Sequence, residues 1–103
     1  AWKDKLFGGF TNSAGMNGDK QNTLQYLQAL ASQHGGLWIS LGVLPSSSKE
    51  AGRHDPNYLG AYAGAMAQTP SDASVENMLQ GDLDTARAYG ERVAAVAARW
   101  KQG

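Results

Sequence analysis

The sequence contains no cysteine, which excludes a disulfide framework, thiolate catalysis and any cysteine-ligated zinc or iron–sulfur centre. It has no excess charge of either sign. Nine Lys and Arg balance nine Asp and Glu, so nothing favours nucleic acid or an anionic membrane recognised through bulk charge. Long apolar runs are missing, and no signal-peptide pattern opens the chain. The expected location is therefore cytoplasmic, with no nucleic-acid partner and no membrane span. What is present, 42% hydrophobic and 17% charged residues in a chain of 103, fits one small folded domain over residues 1–103. Glycine is abundant, at 13 residues, so several positions need unusual backbone angles or close backbone approach. The first residue is Ala rather than Met, and residues are expected to precede it.

The run Lys5-Leu6-Phe7-Gly8-Gly9-Phe10-Thr11 predicts a buried strand. Turn-forming residues follow from Asn12 to Gly18. Asp19 then opens a helix, as N-cap or first turn. Its apolar positions are Leu24, Leu27, Leu30 and Ala31, with Gln21, Gln25, Gln28 and Gln33 on the wet face. His34 lies in its last turn, and Gly35-Gly36 provide a left-handed stop. Residues 37–44, apolar and closed by Pro45, predict a second strand buried on both faces and parallel to the first. Between Pro45 and Gly81 the pattern dissolves. Residues 59–67 suggest a short strand or tight turn there, and residues 74–79 one or two helical turns. A second helix runs from an N-cap at Asp82 to Trp100. Its stripe is Ala86, Tyr89, Gly90, Val93, Val96, Ala97 and Trp100, where Gly90 implies close contact with a neighbouring element.

Two parallel strands and two helices form a thin core with an unpaired strand edge, so a missing segment or another chain is expected to complete the sheet. The motif order also carries a family likeness. Trp2-Lys3-Asp4-Lys5, Phe10-Thr11-Asn12-Ser13-Ala14, Asn17-Gly18-Asp19-Lys20 and Gln33-His34-Gly35 resemble, in this order, flavodoxin-like NAD(P)H-dependent FMN reductases. The nearest branch is that of the WrbA-type NAD(P)H:quinone oxidoreductases. The likeness continues through Asn57-Tyr58-Leu59-Gly60-Ala61 and residues 82–90. It implies an α/β fold comprising the C-terminal part of a flavodoxin-like parallel sheet: strands 4 and 5 with the crossover and final helices, incomplete alone. The cofactor implied is FMN, with NAD(P)H as electron donor, a quinone-type acceptor and a homo-oligomer, tetrameric by resemblance. The family's flavin-phosphate loop follows its first strand, outside these residues. A catalytically inert half acting as an assembly or partner-binding module is the alternative.

Thr11, Asn12, Ser13, Ala14, Gly15, Met16, Asn17 and Gly18 follow a parallel strand, where open α/β sheets place ligands. Backbone N–H groups, hydroxyls and amides there can meet the pyrimidine edge of a flavin; an ordinary connecting loop is the plainer reading. His34 suits a helix C-terminus by its charge, while the resemblance associates the matching His-Gly with the flavin site. Such a contact would come from a neighbouring subunit. No catalytic side chain and no metal site is indicated. Arg53-His54-Asp55 reads as a solvated loop, because two histidines 20 residues apart lack ligand spacing. Ser13 and residues 46–48 lack a nucleophile-elbow context.

Overall fold

The computed structural model describes residues 1–102. The elements are β1 (Leu6–Phe7), β2 (Phe10–Ser13), α1 (Lys20–Gln33), β3 (Leu37–Trp38), β4 (Ala65–Gln68), a 3-10 turn (Val75–Asn77) and α2 (Gln80–Gln102). Both strand pairs are parallel. β1 pairs with β3, Leu6 opposite Leu37, and β2 pairs with β4, Phe10 opposite Ala65 and Ser13 opposite Gln68. The expected parallel strand–helix–strand order is therefore present.

The bounds of the strands differ from those expected, for a reason visible in the hydrogen bonds. Leu37 N–H donates to Lys5 and Ile39 N–H to Phe7. A regular ladder would next send Leu41 N–H to Gly9. Instead Leu41 donates to Tyr62, at 2.9 Å, and Ala65 N–H donates to Gly9, at 3.3 Å. Residues 37–39 thus start the partner strand, residues 40–64 leave the line, and β4 resumes it. The predicted first strand, residues 5–11, is likewise interrupted at Gly8-Gly9, where the partner changes. A Cβ on Gly64 would run into the Gly9 carbonyl, so the close approach of these two backbones requires glycine there.

α1 packs on β2 and β3, and α2 on β4. Ile39, Leu41, Ala61, Ala65 and Tyr89 form the core, with Leu6, Val43, Met66, Val93 and Val96 packed against it. The glycine stop after α1 is present, with Gly35 at φ 79°. The two short elements expected within residues 45–81 are β4 and the 3-10 turn. Three local expectations are corrected. Gln21 does not lie on the wet face: both its amide atoms are buried without a partner. α2 begins at Gln80, so Asp82 is not its N-cap but a buried first-turn residue, 5% exposed. Gly90 makes no close contact; a Cβ there would meet nothing within 4 Å.

The reason for the last is the split stripe of α2. Tyr89, Val93 and Val96 pack on the core, whereas Ala86, Gly90 and Trp100 are exposed. Two adjoining hollows of about 380 and 200 Å³ lie along this flank, sharing Phe10, Ala65 and Ala86. Phe10 is 78% exposed at their rim. The molecule exposes 6746 Å², where a monomer of this mass is expected to expose about 5,600 Å². No helix among the described residues is long and apolar enough to cross a membrane.

Candidate functional site

The loop after β2 owes its shape to bonds made by its carbonyl groups. Ser13 C=O accepts from Thr69 N–H at 3.1 Å, and Ala14 C=O from Gln68 Nε2 at 2.7 Å. Gly15 C=O accepts from Lys20 Nζ at 2.6 Å and from Ser13 Oγ at 2.9 Å. Met16 C=O accepts from Lys20 Nζ at 2.9 Å, and Asn17 C=O from Lys20 N–H at 3.1 Å. Every carbonyl from 13 to 17 is thus held by the protein.

The same peptide units carry the N–H groups of residues 14–18. Among the described residues none of these donates to a protein acceptor. A trans peptide is planar, with C=O and N–H pointing in opposite senses, and the chain has no cis peptide bond. Each N–H therefore points away from the group that holds its own carbonyl. The loop residues Ala14 to Gly18 are exposed, so the result is a run of free donors at a strand's C-terminal end. Such runs attract acceptor atoms and negative charge. Gly18 lies at φ 54°, and a Cβ there would collide with Ser13 Oγ. Asn12 adds its side-chain Oδ1, which accepts from Thr69 Oγ1 at 3.1 Å.

Lys20 is 2% exposed although it carries an ammonium group. Burial lowers its pKa, assisted by the nearby charge of Arg53 and opposed by that of Asp82. Behind it, Arg53 donates twice to Asp82, at 3.1 and 2.9 Å, and once to Gln68 C=O at 3.3 Å. The Asp82 carboxylate also accepts Gln68 N–H at 2.9 Å. Arg53 is therefore no solvated loop residue. Its guanidinium bridges β4 to the start of α2, while His54 and Asp55 are exposed, as expected.

Thr11, Asn12 and Ser13 end β2, and Ala14, Gly15, Asn17 and Gly18 follow in the loop, so these residues lie together at one strand end. His34 is not among them. It is the C-cap of α1, a 14-residue helix that spans about 20 Å, and its ring lies 4.6 Å from that of Trp2. Sequence reasoning missed Lys20, Gln68, Asp82 and Arg53. A signal existed for Lys20: a cation in the first turn opposes the helix dipole, so a lysine there calls for other partners. Nothing local pointed from Arg53 to Asp82.

Set beside known proteins, the chain is 53% identical over 95 residues to flavodoxin FldP of Pseudomonas aeruginosa (strain UCBPP-PA14). The likeness is to a flavodoxin. It supports a flavodoxin-like family, in keeping with the small α/β architecture and its parallel strands. The match takes in 92% of this chain and 52% of the relative, so the chain spans about half the length of the protein it matches. No family model matches the sequence, and no solved structure does.

Proposed function

We propose that the chain is the C-terminal half of a flavodoxin-like, FMN-dependent electron-transfer protein, with residues 11–18, the end of β2 and the loop after it, receiving the pyrimidine edge of the flavin ring. The observation that carries this reading is the run of free N–H donors from Ala14 to Gly18, matched to a ring edge that bears carbonyl oxygens. The small side chains of Ala14, Gly15 and Gly18 let a flat ring approach the backbone. The similarity to a flavodoxin supports FMN as the group. Bound FMN supplies two-electron exchange between NAD(P)H and a quinone-type acceptor, as the resemblance to the WrbA-type oxidoreductases implies. The chain's own part is to bind and orient the ring and to shield one edge from water.

The groove along α2 supports the reading as a half. Its apolar lining, the excess surface and the one-sided pairing of β1 and β2 fit backbone contributed from outside these residues. His34, exposed at the far end of α1, is free to reach the flavin of a neighbouring subunit in an oligomer. Light scattering that gave a stable, well-folded 10.9 kDa monomer would remove both arguments for assembly.

The deciding experiment adds FMN to the purified chain, alone and together with the N-terminal half of a flavodoxin-like protein. No yellow complex alone and a yellow, NAD(P)H-bleachable complex after pairing are expected. Failure of both mixtures to bind FMN would favour the inert assembly module.

A further inference from the structure

Lys20 and Gln68 lie outside residues 11–18, yet they hold three of the loop's carbonyls. Lys20 Nζ takes Gly15 and Met16 at 2.6 and 2.9 Å, and Gln68 Nε2 takes Ala14 at 2.7 Å. Without these bonds the peptide units on either side of Gly15 could turn over, because glycine leaves the backbone many alternatives and only Ser13 Oγ would still hold the Gly15 carbonyl. A flipped unit would present a carbonyl where an N–H now stands. It would repel the acceptor atoms that the site is otherwise built to receive.

We propose that Lys20 and Gln68 are the positioning residues of the loop: by fixing the carbonyls of residues 14–16 toward the protein, they set its N–H groups outward and make the site selective for a ligand edge that bears carbonyl oxygens. This inference rests on the flavin reading for the identity of the ligand, but not for the orientation of the loop. The arrangement is braced from behind. Asp82 holds Gln68 through its backbone N–H, and Arg53 holds Asp82 and the Gln68 carbonyl, so the donor to Ala14 sits on a fixed support. Lys20 accounts for its own burial in the same way. An ammonium withdrawn from water needs acceptors, and the two carbonyls provide them.

The test uses the chain paired with the N-terminal half of a flavodoxin-like protein, as parent and as three variants. Gln68→Ala removes one exposed hydrogen bond and spares the core; Lys20→Met keeps the stem but not the donors; Lys20→Gln restores one donor. Amide hydrogen exchange and ¹⁵N shifts of residues 14–18 are read without ligand. FMN and riboflavin affinities are then read by flavin fluorescence, and inorganic phosphate serves as competitor. Expected are altered amides confined to residues 14–18 and a loss of FMN affinity of at least tenfold in Lys20→Met. Gln68→Ala should lose less, and Lys20→Gln should lie between Lys20→Met and the parent. Unchanged loop amides in both Lys20→Met and Gln68→Ala would overturn the proposal. Altered amides in the variants, with no flavin bound by the parent even when paired, would sink the flavin reading and leave the positioning role standing. Competition by inorganic phosphate but not by riboflavin would overturn the assignment of the donors to a ring edge.

Discussion

The Tyr89 hydroxyl donates to the Ile39 carbonyl at 2.6 Å, and this bond lies where the partner strand leaves its line. The same oxygen accepts the Gly9 N–H at 3.2 Å. A helix residue thus satisfies two backbone groups that sit where the ladder changes hands. Replacing one strand partner by another inside a core would otherwise leave polar groups dry.

Tyr89→Phe should therefore destabilise the chain well beyond the loss of a surface hydroxyl. It leaves a buried donor and a buried acceptor unpaired, a cost of about 3 kcal/mol for the two. Urea unfolding measures it. An unchanged midpoint would mean that the hydroxyl is not what closes the gap between β3 and β4.

Stability at alkaline pH should separate two opposing groups. Lys20 titrates below the ordinary 10.5, chiefly because burial disfavours its charge. Between its folded pKa and 10.5 the unfolded chain binds more protons, so this group makes stability rise with pH. Tyr89 titrates above the ordinary 10.0, again chiefly through burial. The native state keeps a proton that the unfolded state releases, so this group makes stability fall as pH passes 10.0. Relative to the parent, Tyr89→Phe should become more stable with rising pH over that range and Lys20→Met less so. Parallel pH profiles for all three proteins would contradict both assignments.

Gly90→Ala offers a contrast between the chain alone and the chain with the complementary half proposed above. Gly90 lies in the middle of α2 facing open space, where alanine stabilises a helix by about 1 kcal/mol. That gain shifts the melting temperature of a domain this size by about 5 °C. If the groove receives backbone from outside, the added methyl should at the same time weaken association with the complementary half. Stabilisation with undiminished association would leave Gly90 unrelated to the groove's occupant.

The Arg53–Asp82 pair couples residues 40–64 to α2. Asp82→Ala strands the guanidinium and frees Gln68 N–H, which should cost about 3 kcal/mol. Arg53→Met strands the Asp82 carboxylate, whose side chain is only 4% exposed, and should cost at least as much, while the double variant should cost less than the sum. Additive losses in a double-mutant cycle would show that the two residues do not act together.

Much of the secondary structure was legible because its causes are local. Leu24, Leu27 and Ala31 recur at helical spacing and Gly35 stops the helix, so α1 was readable nearly to the residue. The turn residues from Asn12 to Gly18 marked the loop for the same reason. The extent of the second strand was not legible. Leu41 and Val43 look like strand residues and are buried or partly buried, but Ala65 takes the Gly9 carbonyl that Leu41 would have used. Burial and ladder membership part company there, and periodicity reports only burial. Asp82 misled similarly: an acidic residue near a helix start suits a cap, yet its carboxylate serves Arg53 and Gln68.

By itself the sequence determined the two helices, the glycine-rich turn ahead of the first and a parallel α/β order, since each follows from residues close together along the chain. Tertiary structure alone decided which segment completes the strand line, that a lysine is buried under the loop, and that the loop's N–H groups are left free. These outcomes depend on pairs such as Gly9 with Ala65 and Ala14 with Gln68, far apart in the chain. Their hydrogen bonds exist only once the backbone has been brought together, and no local spacing encodes them.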